Sequence, residues 1–266
     1  MTAATPDGNG AVAPLGGQRV AVVTGGAGAI GSAVVAALGA SGHRTVVLDR
    51  TGDVVCDLAS ESSTKEAAAA VLGRYGRCDV LVHCAAILDP MPLYDLDTAR
   101  WRELQAVNVE APLWLAQAFS PGMAKRGFGR IVFVASNALW SPPDAVFLPC
   151  VVSKGAMLGA MRTLAVTLGP DRIAVSAVAP GLTDTPAARR VNGDGQIEAA
   201  VANQAMKRPL VPEDTAHAVD FLASDGAEAL TGQVLVVDGG ASCADALEHS
   251  HLVAAPSPGG WYGRAH

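Results

Sequence analysis

The chain has 266 residues, of which 50% are hydrophobic and 17% charged, with a formal net charge of −6 and a mean hydropathy of +0.30. This length and apolar content suffice for one large core, and the absence of a basic cluster argues against a nucleic-acid partner. The five cysteines have no regular spacing and indicate neither a disulfide framework nor a CxxC metal site.

The termini carry no signal for export or membrane insertion. The first residues lack a basic region followed by an apolar core, and no span of about 18 residues is apolar and uncharged throughout. We therefore expect a cytoplasmic protein without a membrane partner. We predict a flexible lead-in at 1–17, one folded domain at 18–240, and a C-terminal tail or oligomerisation arm at 241–266 that is rich in Pro, Gly, Ser and His.

The first predicted unit, Arg19 to Leu38, is a strand, a glycine-rich turn and a helix. Val20 to Val23 form a short β-branched run typical of a buried strand, and the run Ala33 to Leu38 has helical character. Glycines between them let the backbone approach a pyrophosphate, which the helix N-terminus attracts. We therefore predict a dinucleotide site at Thr24, Gly25, Gly28, Ala29, Ile30 and Gly31.

The second predicted strand, Arg44 to Leu48, ends at Asp49, about 25 residues after Thr24. A carboxylate in this position hydrogen-bonds the adenosine ribose and repels a 2′-phosphate. The sequence therefore predicts NAD as the cofactor, although Arg50 offers a cation to such a phosphate. The alternative is that Asp49 only caps the strand end.

The remaining elements alternate as a doubly wound parallel sheet requires. We predict an α/β fold of about seven strands and six helices in a single domain. The strands are expected near Val20, Thr45, Val54, Val80, Gly129, Ile173 and Val234, and helical segments at Ser60 to Tyr75, Thr98 to Lys125, Val151 to Leu168 and Pro212 to Ser224.

A lid is predicted from Thr183 to Lys207, because this segment leaves the carboxyl end of the sheet and contains a polar, glycine-containing break at Asn192 to Gly195. Arg189 and Arg190 within it could contact an anionic substrate, or they could simply form a solvated helix face.

The order of the motifs from Gln18 to Gly240 resembles the short-chain dehydrogenase/reductase family. The run TGGAGAIG matches the family's TGxxxGxG loop, with Ala29 in place of one glycine. The resemblance implies a Rossmann-type fold, further cofactor contacts and catalytic positions. The cofactor contacts are Asp57 and Leu58 near the adenine, Ala85 and Ala86 after the fourth strand, and Pro180, Gly181 and Thr183 beside the nicotinamide; the catalytic positions are Asn108, Ser136, Cys150 and Lys154, the last of which also holds the ribose.

The resemblance also implies a chemistry. In this family a serine polarises the carbonyl or alcohol, a tyrosine moves the proton, a lysine lowers the pKa of that tyrosine, and an asparagine orders a relay water. It therefore implies NAD(H)-dependent hydride transfer to or from a hydroxyl or carbonyl group of a small molecule. It further implies a homodimer or homotetramer, which fits the apolar helical segments.

The chain departs from the family pattern at the catalytic tyrosine, where it has Cys150. Three chemical interpretations are open: the thiol moves the proton with a pKa lowered by Lys154, the thiolate attacks an aldehyde, or another group supplies the proton. The candidates for that other group are Tyr94, His83, Asp144 and a water chain through Asn108 and Lys154. A structural interpretation is that Cys150 is an apolar filler.

The missing tyrosine also supports an alternative function, a redox-silent protein that binds dinucleotide and either catalyses an isomerisation or dehydration or acts as a scaffold. Among the aromatic residues, Trp140 and Phe147 are pocket candidates, and Tyr75 is expected on a helix surface. Because His249, His251 and His266 lack carboxylate partners, we expect no metal site.

Overall fold

The computed structural model describes residues 17–140, 142, 147–192 and 195–243. Within this part of the chain, all seven predicted strands are present. The strands are β1 (Val20–Thr24), β2 (Arg44–Asp49), β3 (Val54–Val55), β4 (Val80–His83), β5 (Gly129–Val134), β6 (Ile173–Pro180) and β7 (Val234–Val237).

The strands form one parallel sheet in the order β3-β2-β1-β4-β5-β6-β7. The chain order reverses between β1 and β4, which are hydrogen-bonded neighbours. In an open parallel sheet, ligands bind beyond the carboxyl ends of the strands at such a switch point. The predicted Rossmann-type α/β fold is thereby confirmed, and its ligand crevice lies where Thr24 and His83 end their strands.

Helices cover both faces of the sheet. The described residues contain eight α-helices, more than the six expected; α-helices lie in the predicted lid, and the segment predicted from Thr98 to Lys125 is divided into two. They are α1 (Ala29–Ala40), α2 (Glu61–Tyr75), α3 (Thr98–Gln105), α4 (Ala111–Arg126), α5 (Leu148–Leu168), α6 (Pro186–Asn192), α7 (Gln196–Asn203) and α8 (Pro212–Ala223).

The division between α3 and α4 is a π-helical segment, Ala106–Glu110. The sequence predicts one uninterrupted helix from Thr98 to Lys125, and the wider π turn was not foreseen. Such short π turns inside α-helices occur frequently at functional sites. This one contains Asn108, one of the predicted catalytic residues.

The strands are apolar along their length because both faces of the sheet are buried. In β1, Val20 and Val22 belong to a cluster with residues of α2, α4 and α5, whereas Ala21 and Val23 belong to a second cluster with residues of α1 and α8. The alternation follows from the two-residue period of a strand. A one-residue shift of β1 would exchange the two sets, so the register of the central strand is strongly fixed.

The helix α5 is long and apolar. By length and composition alone, the stretch Leu148–Asp171 could cross a membrane. In this structure it packs against β6, and it carries the buried Lys154 in its second turn. Its first turn contains Pro149, a position that tolerates proline because its N–H would have no helical partner.

Candidate active site

The turn after β1 can be built only with glycine at two positions. Gly25 has a positive φ of 68°, and a Cβ on it would lie 2.6 Å from the Cα of Ala85. A Cβ on Gly31 would lie 2.1 Å from the carbonyl oxygen of Gly25. The turn is therefore closed tightly against the loop after β4, and its outer side presents bare backbone.

The helix α1 begins at this turn without a side-chain cap. Gly28 is the N-cap residue, and no acidic residue lies in the first turn. The first N–H groups of a helix have no helical partner and are attracted to anions. Ala29 and Ile30 therefore present such groups beside the close-packed glycine turn, which is an arrangement that fits the pyrophosphate of a dinucleotide.

Two acidic residues lie on the adenosine side of this predicted cofactor site. Asp49 ends β2, and its Oδ2 accepts a hydrogen bond from the N–H of Ala27 in the glycine turn at 3.2 Å. Its Oδ1 accepts one from the N–H of Arg50 at 2.6 Å. Asp57 is exposed and caps its own turn by accepting from the N–H of Ala59, and Leu58 beside it is buried. The carboxylate of Asp49 is thus held against the phosphate turn.

Asn108 holds the loop after β4 in place. Its Oδ1 accepts from the N–H of Ile87 at 2.8 Å, and its Nδ2 donates to the carbonyl of Ile87 at 3.0 Å. The second N–H of that amide donates to the Ser153 hydroxyl at 3.0 Å. Both N–H groups of the side chain are in use, so the amide positions neighbouring segments and has no donor left for a relay water.

Ser153 was not identified as a site residue from the sequence. It is fully buried and donates its hydroxyl to the carbonyl of Cys150 at 2.9 Å, one helical turn earlier. Together with Asn108 it connects the loop after β4 to the first turn of α5. Its place directly before Lys154 was the only sequence signal that could have identified it.

Ser136 follows β5 and is oriented by the backbone. It is the N-cap of a short 3₁₀ turn, Asn137–Leu139, and its Oγ accepts from the N–H of Ala138 at 3.2 Å. Because a hydroxyl has one proton and two lone pairs, this bond fixes the oxygen and leaves its O–H able to donate. Donation to a substrate oxygen is the role that the family resemblance implies.

Lys154 is an ammonium group buried at the carboxyl end of the sheet. The residue is 3% exposed, and Nζ donates to the carbonyl of Val134, the last residue of β5, at 2.7 Å. Burial lowers the pKa of Lys154, an effect that Cys150 and Cys84 partly offset. Two of its three N–H groups are available for other acceptors.

Cys150 lies in the first turn of α5 and is 7% exposed. The two interpretations that use its thiol chemically require a pKa lowered by Lys154, and the structure does not support them. Burial raises the pKa of the Cys150 thiol, and the nearby Lys154 offsets only part of that effect. The thiol is therefore protonated at neutral pH, and a nucleophilic thiolate is not supported.

The other candidates for the proton donor differ in placement. Tyr94 lies on a 3₁₀ turn and is 95% exposed, so it is a surface residue. His83 is fully buried, and burial followed by the charge of Lys154 lowers its pKa to about 3. Asp144 lies outside the described residues, as do His249, His251 and His266. In the described part of the chain, no group of three or more potential ligands could hold a metal ion.

The turn after β6 leads into the predicted lid. Pro180 ends β6, and Thr183 donates its hydroxyl to the carbonyl of Gly181 at 3.1 Å. The lid segment contains α6 and α7, which are separated at the predicted polar break. Arg189 forms a two-pronged ion pair with Asp184 at 2.7 Å, so its guanidinium is directed at a residue of the same segment.

Comparison with known proteins gives the same assignment as the geometry. A family model described as Enoyl-(acyl carrier protein) reductase matches residues 17–242 of this chain. Human dehydrogenase/reductase SDR family member 4 is 34% identical over 245 residues, which covers 84% of this chain and 87% of that protein. The chain belongs to the short-chain dehydrogenase/reductase family. It is an oxidoreductase that binds a nicotinamide dinucleotide.

Two further relatives show the range within this family. The D-xylose 1-dehydrogenase of Caulobacter vibrioides is 34% identical over 243 residues, covering 85% of this chain and 96% of that one. A crystal structure from Beutenbergia cavernae, described as an NAD(P)-dependent gluconate 5-dehydrogenase with NADP at low occupancy, superimposes with a TM-score of 0.79 at 32% identity over 85% and 97% of the two chains. These names describe redox enzymes and do not favour the redox-silent alternative.

Proposed function

We propose that this short-chain dehydrogenase/reductase is an NAD(H)-dependent enzyme that transfers hydride between the nicotinamide and a hydroxyl or carbonyl group of a small molecule. The observation that carries this proposal is the buried Lys154 ammonium at the carboxyl edge of the sheet. A buried cation is costly, and the fold needs no charge there for packing. The binding of a ribose hydroxyl and the transfer of a proton would both require the charge of Lys154.

The choice of NAD rests on Asp49. Its carboxylate is held by the N–H of Ala27 within the phosphate turn, at the end of β2 where an adenosine ribose lies in this fold. A 2′-phosphate would bring a second negative charge to this carboxylate, and like charges a few ångströms apart repel by about 1 kcal/mol or more. The NADP described for the Beutenbergia cavernae relative belongs to that protein.

Replacing Asp49 by Ala is expected to relax this choice. NADPH affinity should rise about tenfold or more, because the repulsion is gone and the exposed Arg50 can then attract the phosphate. NADH affinity should fall, because the ribose loses an acceptor. Quenching of protein fluorescence by each nucleotide measures both constants. The double variant D49A/R50A is the control, and a D49A variant that still prefers NADH to the same degree would remove Asp49 as the selecting residue.

The remaining roles in binding and catalysis belong to Ser136, Lys154 and Asn108. When bound, the nicotinamide supplies or accepts the hydride. The Ser136 hydroxyl, fixed by the N–H of Ala138, donates to the reacting oxygen of the substrate. The two unused N–H groups of Lys154 bind ribose hydroxyls or carry the proton. Asn108 keeps the loop after β4 and the first turn of α5 at a fixed spacing through Ile87 and Ser153.

The proton passes through Lys154 and a water in place of the absent phenol. Cysteine is shorter than tyrosine by a ring, which leaves room for a water, and a buried water needs two to four polar partners. Ser136 and Lys154 can supply them. The lowered pKa of Lys154 brings it nearer to the pH at which a group can both give and take a proton, whereas the raised pKa of Cys150 moves it away.

The activity is tested by following NADH absorbance with a panel of small carbonyl compounds and with NAD⁺ and the corresponding alcohols. We expect turnover with at least one pair, slower than is usual because the phenol is absent. Carbonyl reduction should fall as the pH rises through the pKa of Lys154, since the ammonium is then lost, and alcohol oxidation should rise. Tight NADH binding without hydride transfer to any member of a broad panel would contradict the proposal.

Self-association and a cytoplasmic location stay predictions. The helix α5 presents Val152 and Val166 to solvent at 41% and 80% exposure, and Trp114 of α4 is only partly buried. Apolar side chains exposed along two helices are typical of an interface between copies of a chain.

A further inference from the structure

The proposed chemistry gives His83 no role. Its side chain is fully buried at the end of β4, directly beside the end of β1. Its Nδ1 lies 2.9 Å from the hydroxyl of Thr24. Its Nε2 is buried and makes no hydrogen bond to any residue that the structure describes. Among the described residues, the bond to Thr24 is therefore the one hydrogen bond that orients this buried ring.

The surroundings of Thr24 determine which nitrogen carries the proton. The Thr24 oxygen accepts from the N–H of Cys84 at 3.2 Å and from the N–H of Ala85 at 3.3 Å. A hydroxyl has two lone pairs and one proton, so the remaining bond, to His83, must use the proton of Thr24. Nδ1 of His83 is therefore a bare acceptor, and in the neutral ring Nε2 bears the hydrogen.

The second side of the imidazole faces the catalytic segments. The backbone of Val107, within the π-helical segment, raises the pKa of His83, although its contact with the ring does not meet hydrogen-bond geometry. Burial and then the charge of Lys154 lower that pKa by more, to about 3. The ring therefore lies among the end of β1, the segment that carries Asn108, and Lys154. Because Lys154 and burial both oppose a second positive charge, the ring is neutral over the working pH range.

The bond from His83 to Thr24 lies beside the closest contact between the phosphate turn and the loop after β4, and a dinucleotide depends on the spacing of these two segments. Gly25 approaches Ala85 so closely that a Cβ would lie 2.6 Å from the Ala85 Cα. Thr24 immediately precedes this contact on one side, and His83 precedes it on the other. The bond between Thr24 and His83 thus joins the phosphate turn after β1 to the loop after β4.

We propose that His83 is a positioning residue for the cofactor: as a neutral Nε2–H imidazole it holds the Thr24 hydroxyl in the orientation that keeps the phosphate turn and the loop after β4 together. This inference rests on the proposed dinucleotide function. It concerns binding of the cofactor more than the chemical step. Replacement should therefore raise the KM and dissociation constant for NADH and leave kcat within a few-fold.

The test is a double-mutant cycle on NADH binding, measured by calorimetry. His83→Leu should raise the dissociation constant about tenfold. Thr24→Val should raise it further, because it also removes the acceptor of the Cys84 and Ala85 N–H groups, and the double variant should be no weaker than Thr24→Val alone, because the bond to His83 is already lost in that variant. His83→Asn, whose amide oxygen can accept the same bond from Thr24, should bind more tightly than His83→Leu. His43→Gln is the matched control. His43 also has a buried Nε2 without a hydrogen-bond partner among the described residues, but it lies just before the amino end of β2, away from the carboxyl ends of the strands where the cofactor site lies.

A measurement on the unaltered protein does not depend on any variant folding. Nitrogen NMR of the histidine rings should show Nδ1 of His83 unprotonated and Nε2 protonated, unchanged between about pH 5 and pH 9. A protonated Nδ1, a ring that becomes charged in that range, or effects that multiply in the double variant would overturn the proposal. Failure of the unaltered chain to bind NADH would instead refute the cofactor assignment, whereas NADH binding that is insensitive to His83→Leu would refute only the role of His83.

Discussion

Replacing Lys154 by Met is expected to lower turnover by about a thousandfold or more, in the range that general acid–base groups and transition-state contacts supply together. The ammonium is 3% exposed and lies at the carboxyl end of the sheet, where Nζ donates to the carbonyl of Val134. Met fills a similar volume without a donor. NADH binding should weaken as well, because ribose hydroxyls lose their partner.

The stability of the Lys154→Met variant distinguishes a functional loss from misfolding. Burial lowers the pKa of Lys154, which means that the folded protein disfavours its charge. Replacing a costly buried charge with a well-packed apolar side chain is often neutral or stabilising. We therefore expect an unchanged or higher melting temperature together with the loss of turnover. Lys125→Met, at the exposed end of α4, is the control. Turnover within tenfold of the original would contradict the role assigned to Lys154.

Replacing Cys150 by Tyr is expected to raise turnover with simple secondary alcohols by about a hundredfold or more, the usual contribution of a positioned acid–base group. Position 150 lies one helical turn before Lys154, so the phenol would stand beside the ammonium that lowers its pKa. The rate of alcohol oxidation should then depend on a new group that titrates below the ordinary pKa of tyrosine. Stopped-flow measurement of NADH formation against pH follows both changes.

The companion variant Cys150→Ala decides whether the thiol takes part. If the proton passes through Lys154 and a water, turnover should stay within about threefold, since a protonated thiol adds only bulk. A hundredfold loss in Cys150→Ala, or loss of an existing activity in Cys150→Tyr, would make the thiol part of the native mechanism. Either result would contradict the water path.

The sheet could be predicted from the sequence because its signals are local. Each strand is a short β-branched or apolar run bounded by turn residues, and all seven predicted positions lie in or at the observed strands. The cofactor turn was equally accessible, since Gly25 and Gly31 are required by backbone contacts within one supersecondary unit.

What the sequence did not predict depends on contacts between distant segments. The π turn around Asn108 is stabilised by the bonds of that side chain to Ile87 and Ser153, which no local pattern reveals. Tyr75 was expected at the surface, yet it is 4% exposed because the end of α2 packs its ring into the core. The pKa of Cys150 depends on the balance between burial and the charge of Lys154, and the sequence shows only the second of these.

The measurement that tests the central claim most directly is calorimetric titration of the unaltered protein with NAD⁺, NADH, NADP⁺ and NADPH, because it requires no knowledge of the substrate. We predict micromolar binding of NAD⁺ and NADH, and binding of the phosphorylated pair that is weaker by about tenfold or more, about 1.4 kcal/mol. Binding of none of the four would contradict the oxidoreductase account altogether. Preference for NADPH would contradict the role of Asp49 and leave the site itself in place.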